Sequence, residues 1–168
     1  MIPQVKVLSL ALITFAIVLA LPGPGLAVAE VWGPPSGGNP DLANQLKEFK
    51  RTAWDMRGEA DTLSSFANQR LSWQIHSNRH LALQEQINRM GSILAELEAQ
   101  KSLASDTQRM AIEQARPHLV AAADDLTQVI EMVREDRHNV LHPDYEELVQ
   151  SLSSHANSLY EKLDTILD

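Results

Sequence analysis

Apolar residues recur along this chain at alternating steps of four and three, the spacing that gathers side chains on one stripe of an α-helix. The first stripe is Leu42, Leu46, Phe49, Ala53, Met56, Ala60, Leu63 and Ala67, behind a helix start at Asn39-Pro40-Asp41. A second is Trp73, His76, His80, Leu83, Ile87, Met90, Leu94 and Leu97. The step from 67 to 73 breaks the period and predicts a turn near Ser65 to Leu71, although neither Gly nor Pro marks it. Lys101 to Asp106 is the next boundary, where Ser105 and Gln108 have the spacing of a capping box. A third stripe then follows at Ile112, Ala115, Leu119, Ala122, Leu126, Val129 and Val133; Pro117 lies off it and predicts a kink. Asp136 to Pro143 closes that segment and puts Pro143 in the first turn of the last helix, where a missing N–H costs nothing. Tyr145, Val149, Leu152, Ala156, Leu159, Leu163 and Ile166 form the fourth stripe.

Strand signals are missing, so the pattern predicts an all-α fold. Four amphipathic segments joined by short connections are most simply an up-down-up-down antiparallel four-helix bundle. Were residues 41–101 one unbroken helix, about 90 Å long at 1.5 Å per residue, the alternative would be a long helical hairpin or coiled coil closed by dimerisation.

The front of the chain follows another rule. Lys6 precedes the apolar run Val7 to Leu21, then Pro22-Gly23-Pro24-Gly25, then the small-x-small triplet Ala27-Val28-Ala29. This reads as a signal peptide over residues 1–29, cleaved after Ala29. As a membrane anchor the run is too short, since fifteen residues reach only about 22 Å against a hydrocarbon core of roughly 30 Å. Residues 30–40, rich in Pro and Gly, read as a flexible leader on which Trp32 is available to dock, and residues 41–168 as the helical domain. The expected destination is therefore the periplasm or the medium, with no stable membrane anchor left after cleavage.

Composition narrows the chemistry. The chain has no cysteine, which removes disulfides, thiolate metal sites and cysteine nucleophiles and leaves stability to packing. Without Lys6 the mature chain has 13 basic against 22 acidic residues, which argues against nucleic acid as a partner. The excess is uneven: residues 30–101 carry a net charge of −1 and residues 102–168 a net charge of −8. We find no His-Glu-x-x-His, Gly-rich phosphate loop or Gly-x-Ser-x-Gly elbow.

Histidine is the remaining chemical signal. His76 and His80 stand on the second stripe at i and i+4, so both imidazoles leave one helix face. In an up-down-up-down bundle the connection bearing His138 and His142 falls at the same end, and the four would make a Zn(II) or Cu(II) site among carboxylates. The plainer reading makes His76 and His80 semi-buried polar residues bonded to groups such as Asp61 or Ser64, and His138 and His142 loop residues. His118 and His155 fall at surface or edge positions. Glu135-x-x-His138 has the spacing of half a di-iron ligand set, but it occurs once and no inward glutamate stands on the stripes.

These features predict an exported, non-enzymatic bundle that binds another protein or supports an envelope assembly through its acidic third and fourth helices. It needs no cofactor, and self-association into a homo-oligomer is compatible with it. The alternative is a periplasmic or secreted module that binds or senses Zn or Cu through His76, His80, His138 and His142.

Overall fold

The computed structural model describes residues 39–168 except 68 and 70. The export signal, leader residues 30–38 and Trp32 lie outside the described residues. Four long helices account for most of the rest: α1 (Pro40–Ala67), α2 (Trp73–Ala99), α3 (Asp106–Glu135) and α4 (Pro143–Leu167). Short 3-10 turns at Lys101–Leu103 and Arg137–Leu141 complete the second and third connections. Among the described residues no helix is long and apolar enough to cross a membrane.

Local chemistry explains most helix ends. Asn39 Oδ1 accepts the Asp41 N–H at 3.0 Å, and Pro40 follows in a position that needs no donor. Ser105 Oγ accepts the Gln108 N–H at 3.2 Å while Gln108 Oε1 accepts the Ser105 N–H at 2.9 Å, closing the capping box. Such a cap contributes about 1 kcal/mol. Gln108 also donates through Nε2 to the Asn39 carbonyl at 3.2 Å, so the starts of α1 and α3 are tied together. At the other end of α3, Asn139 Nδ2 donates to the Met132 carbonyl at 2.8 Å, a second donor to an oxygen that already accepts the Asp136 N–H at 3.1 Å. His142 caps α4 by accepting the Asp144 N–H on Nδ1 at 3.2 Å, ahead of Pro143.

Among the described residues, the break between α1 and α2 has no such device. Ser72 is extended (φ −68°, ψ 148°) and its side chain makes no cap hydrogen bond; the turn is held by Gln69 N–H donating to the Phe66 carbonyl at 2.9 Å. Pro117 is exposed, and α3 continues through it as one helix from Asp106 to Glu135.

The four stripes meet in one continuous core. Every stripe residue is buried except Ala67, Trp73 and Ile166, which pack against its ends half-covered. Thr52, Gln108 and Ala111 are buried in addition. Each fully buried Leu, Ile, Met or Phe adds about 1.5–3 kcal/mol of burial, which is the main resource of a chain without cross-links. α3 packs most extensively on α4, and of the four neighbouring helix pairs α2–α3 is the most sparsely packed. α2 and α4 share almost no close backbone contacts.

Polar pairs mark the registers. Arg79 meets Glu59 at 2.7 Å and Arg89 meets Glu48 at 2.6 Å between α2 and α1. Lys50 on α1 reaches Asp164 at 2.8 Å and Asp168 at 2.7 Å, and Asp61 accepts from Ser153 and Asn157 of α4. Arg116 pairs with Glu98 at 3.0 Å and Lys101 with Glu113 at 2.6 Å. Exposed pairs of this kind each contribute about 0–1 kcal/mol, so they record alignment more than they create stability.

Candidate functional site

His76 and His80 leave the same face of α2, one turn apart, and both are buried. Tyr145, in the first turn of α4, is 0 % exposed and places its hydroxyl between them. Tyr145 Oη lies 2.8 Å from His76 Nδ1 and 2.9 Å from His80 Nε2. A phenol has one proton, so the hydroxyl donates to one imidazole and accepts from the other. The rings meet edge to face or tilted, with centroids 5.4 Å (His76) and 6.0 Å (His80) from the phenol, and Phe66 of α1 closes the far side of His76 at 6.4 Å. His76 Nε2 is buried without a hydrogen-bond partner.

Burial sets the protonation of the trio. It lowers the His76 pKa, and it lowers that of His80 to about 4 with a further contribution from His76. The same burial raises the Tyr145 phenol. At neutral pH all three groups are uncharged, as an apolar core requires where no counter-charge is supplied.

His138 and His142 are placed differently. Both rings stand in solvent on or beside the Arg137–Leu141 turn. His138 Nδ1 lies 3.0 Å from Asp136 Oδ1, which also accepts the His138 N–H at 2.9 Å. Those two contacts hold the Asp136 carboxyl below its usual range, the backbone donor contributing most. His142 spends its Nδ1 on capping α4. The structure thus joins His76 and His80 through Tyr145 and leaves His138 and His142 each engaged with a neighbouring residue. Among the described residues no group of three or more His, Cys, Asp or Glu side chains is arranged to hold a metal ion. Asp61 is not the partner of the buried histidines; it is taken by Ser153 and Asn157. Trp73 packs at this end, half-buried beneath the Arg137 guanidinium at 4.2 Å.

Two clusters escape a reading by stripes. His118 of α3 and His155 of α4 face each other with ring centroids 6.1 Å apart, and His155 Nε2 is 3.9 Å from Asp125 Oδ2, itself buried without a hydrogen-bond partner. Burial, then His155 and Lys162, lower the His118 pKa. The seven-residue step from 118 to 125 puts those two on one face of α3 and was the available signal. On the α1–α4 side, Trp54 and Tyr160 pack edge to face at 5.0 Å with the Arg57 guanidinium 5.5 and 5.4 Å from their rings.

A surface groove of about 560 Å³ runs between α3 and α4. Its walls carry Glu131, Glu135, Asp144 and Glu147, and Met132 and Leu148 supply its apolar lining. The last two are half-buried against the core, so the groove combines negative charge with anchored hydrophobic surface. Comparison of the chain with protein-family models, with curated proteins and with solved structures finds no match.

Proposed function

We propose that this chain is exported and acts as a non-enzymatic binding module, an up-down-up-down antiparallel bundle whose α3–α4 face docks a basic segment of another protein. The observation that carries the reading is the groove, which sets Glu131, Glu135, Asp144 and Glu147 around Met132 and Leu148. It lies in the half of the chain with a net charge of −8. Four carboxylates favour a cationic partner and speed its encounter, while the Met and Leu surface suits an apolar anchor and the flexible thioether tolerates varied shapes. An amphipathic helix with Lys or Arg flanking one or two Leu residues meets both demands. Support for the antiparallel course comes from the interhelical pairs, in which rising residue numbers on one helix meet falling numbers on the next. Support for export comes from the triplet Ala27-Val28-Ala29 behind the apolar run.

A synthetic amphipathic Lys/Leu helix tests the docking face by calorimetry. Binding is expected to weaken steeply between 20 and 300 mM NaCl. It should also weaken at least tenfold, about 1.4 kcal/mol, in the triple variant Glu131→Gln/Glu135→Gln/Glu147→Gln. A non-amphipathic peptide of the same charge should bind less tightly than the helix. Equal affinity of variant and wild type, or equal affinity for the two peptides, would overturn the reading.

A further inference from the structure

We propose that His76, Tyr145 and His80 form an acid-released latch between α2 and α4, closed while both imidazoles are neutral and opened when they take up protons. The latch joins helices that otherwise share almost no close backbone contacts, so the phenol spans the middle of the bundle and fastens its two sides. Its hydrogen-bond arithmetic needs at least one ring neutral and fails once both are charged. With both imidazoles protonated, His76 Nδ1–H and His80 Nε2–H would point at one oxygen, and the Tyr145 proton would lose both acceptors. A single proton on His76 would leave Nε2–H, already without a partner, as a buried donor on a charged ring.

Among the described residues, no neighbouring element supplies a compensating anion. On α1, Glu59 is paired with Arg79, and Asp61 with Ser153, Asn157 and Arg57. On the connecting turn, Asp136 is engaged by His138, and Arg137, a cation, lies over Trp73. On α4, Asp144 sits 3.5 Å from His142, and Glu146 accepts from Gln150. On α3, Glu131 and Glu135 line the outer groove. Burial lowers the proton affinity of both rings, and His76 adds to the effect at His80; no carboxylate offsets either shift.

The sign follows from linkage. An exposed histidine takes up a proton below about pH 6.5, whereas His80 in the closed latch resists protonation down to about 4. Stability of the latch is therefore complete above about pH 6.5 and is lost progressively as pH falls toward 4, because the open form binds protons that the closed form does not. Tyr145 stands between Asp144 and Glu147 on α4, so opening also displaces one wall of the groove. That consequence rests on the docking reading, whereas the latch does not.

Hydrogen exchange of the full chain at pH 7.5 and 5.0, corrected for intrinsic rates, reads the latch directly. Protection of amides in residues 73–80 and 137–149 is expected to fall more than tenfold at pH 5.0, while residues 42–53 change less than threefold. In His76→Asn/His80→Gln, whose amides offer polar atoms near Nδ1 and Nε2 without titrating, the drop should vanish. In His118→Gln/His155→Gln it should persist. Protection that is unchanged in the wild type, or a drop that survives in His76→Asn/His80→Gln, would overturn the latch. If that variant does not fold, an NMR titration of the wild-type imidazoles decides the matter: ordinary titration near pH 6.5 with this end still protected refutes it, and rings that stay neutral until protection is lost support it.

Discussion

A phenol offers one proton, and Tyr145 places it between two imidazole nitrogens at 2.8 and 2.9 Å. Removing the hydroxyl leaves both nitrogens without a partner in a core where His76 Nε2 already lacks one. Tyr145→Phe is therefore expected to lower unfolding free energy at pH 7.5 by about 1–3 kcal/mol, the cost of buried groups left unsatisfied. Tyr160→Phe removes a half-buried hydroxyl that donates to Asp164 at 3.1 Å and should change stability by less than about 0.5 kcal/mol. Urea titration of both variants checks this, and equal losses would refute the special standing of Tyr145. At this scale only half of the cluster was legible. The stripe positions of His76, His80 and Tyr145 declared each residue inward-facing, but no periodicity states which inward residue of α4 meets which of α2. The grouping of His138 and His142 with the buried pair depended on the end of the bundle they occupy, and sharing an end does not turn a solvated side chain inward.

Helix boundaries were read well wherever a local device makes them. The Ser105–Gln108 box and Pro143 at the start of α4 are decided by residues three or fewer apart. The α1–α2 break was visible only as a fault in the period, because the sequence has no glycine or proline there and Ser72 makes no cap hydrogen bond. Two glycines remain inside helices without need. Neither Gly58 nor Gly91 has a heavy atom within 4 Å of where a Cβ would stand. Gly58→Ala and Gly91→Ala should each raise stability by about 0.5–1 kcal/mol, since the folded backbone is already helical and the unfolded chain loses freedom. The two gains should add, as Gly91 lies beside Arg89, whose partner Glu48 stands ten residues, about 15 Å, along α1 from Gly58. Urea midpoints of the single and double variants test this; a loss at either site would show that the position is more crowded than the geometry allows.

At the scale of the whole bundle, residues 39–168, one continuous core without cysteine implies one cooperative unit. At pH 7.5, where the latch is closed, unfolding followed by tryptophan fluorescence and by far-ultraviolet circular dichroism should give coincident transitions. Trp54 reports the α1–α4 face and Trp73 the histidine end, so separated midpoints would mean that the ends unfold independently. Helix number, helix extent, the buried face of each and the acidic bias of the second half could all be read along the chain, because period, capping and charge are properties of residues a few positions apart. The trio around Tyr145, the His118–His155–Asp125 cluster and the groove between α3 and α4 could not. Each depends on the axial shift and rotation of one helix against another, which the combined packing of many side chains sets and no single stripe encodes.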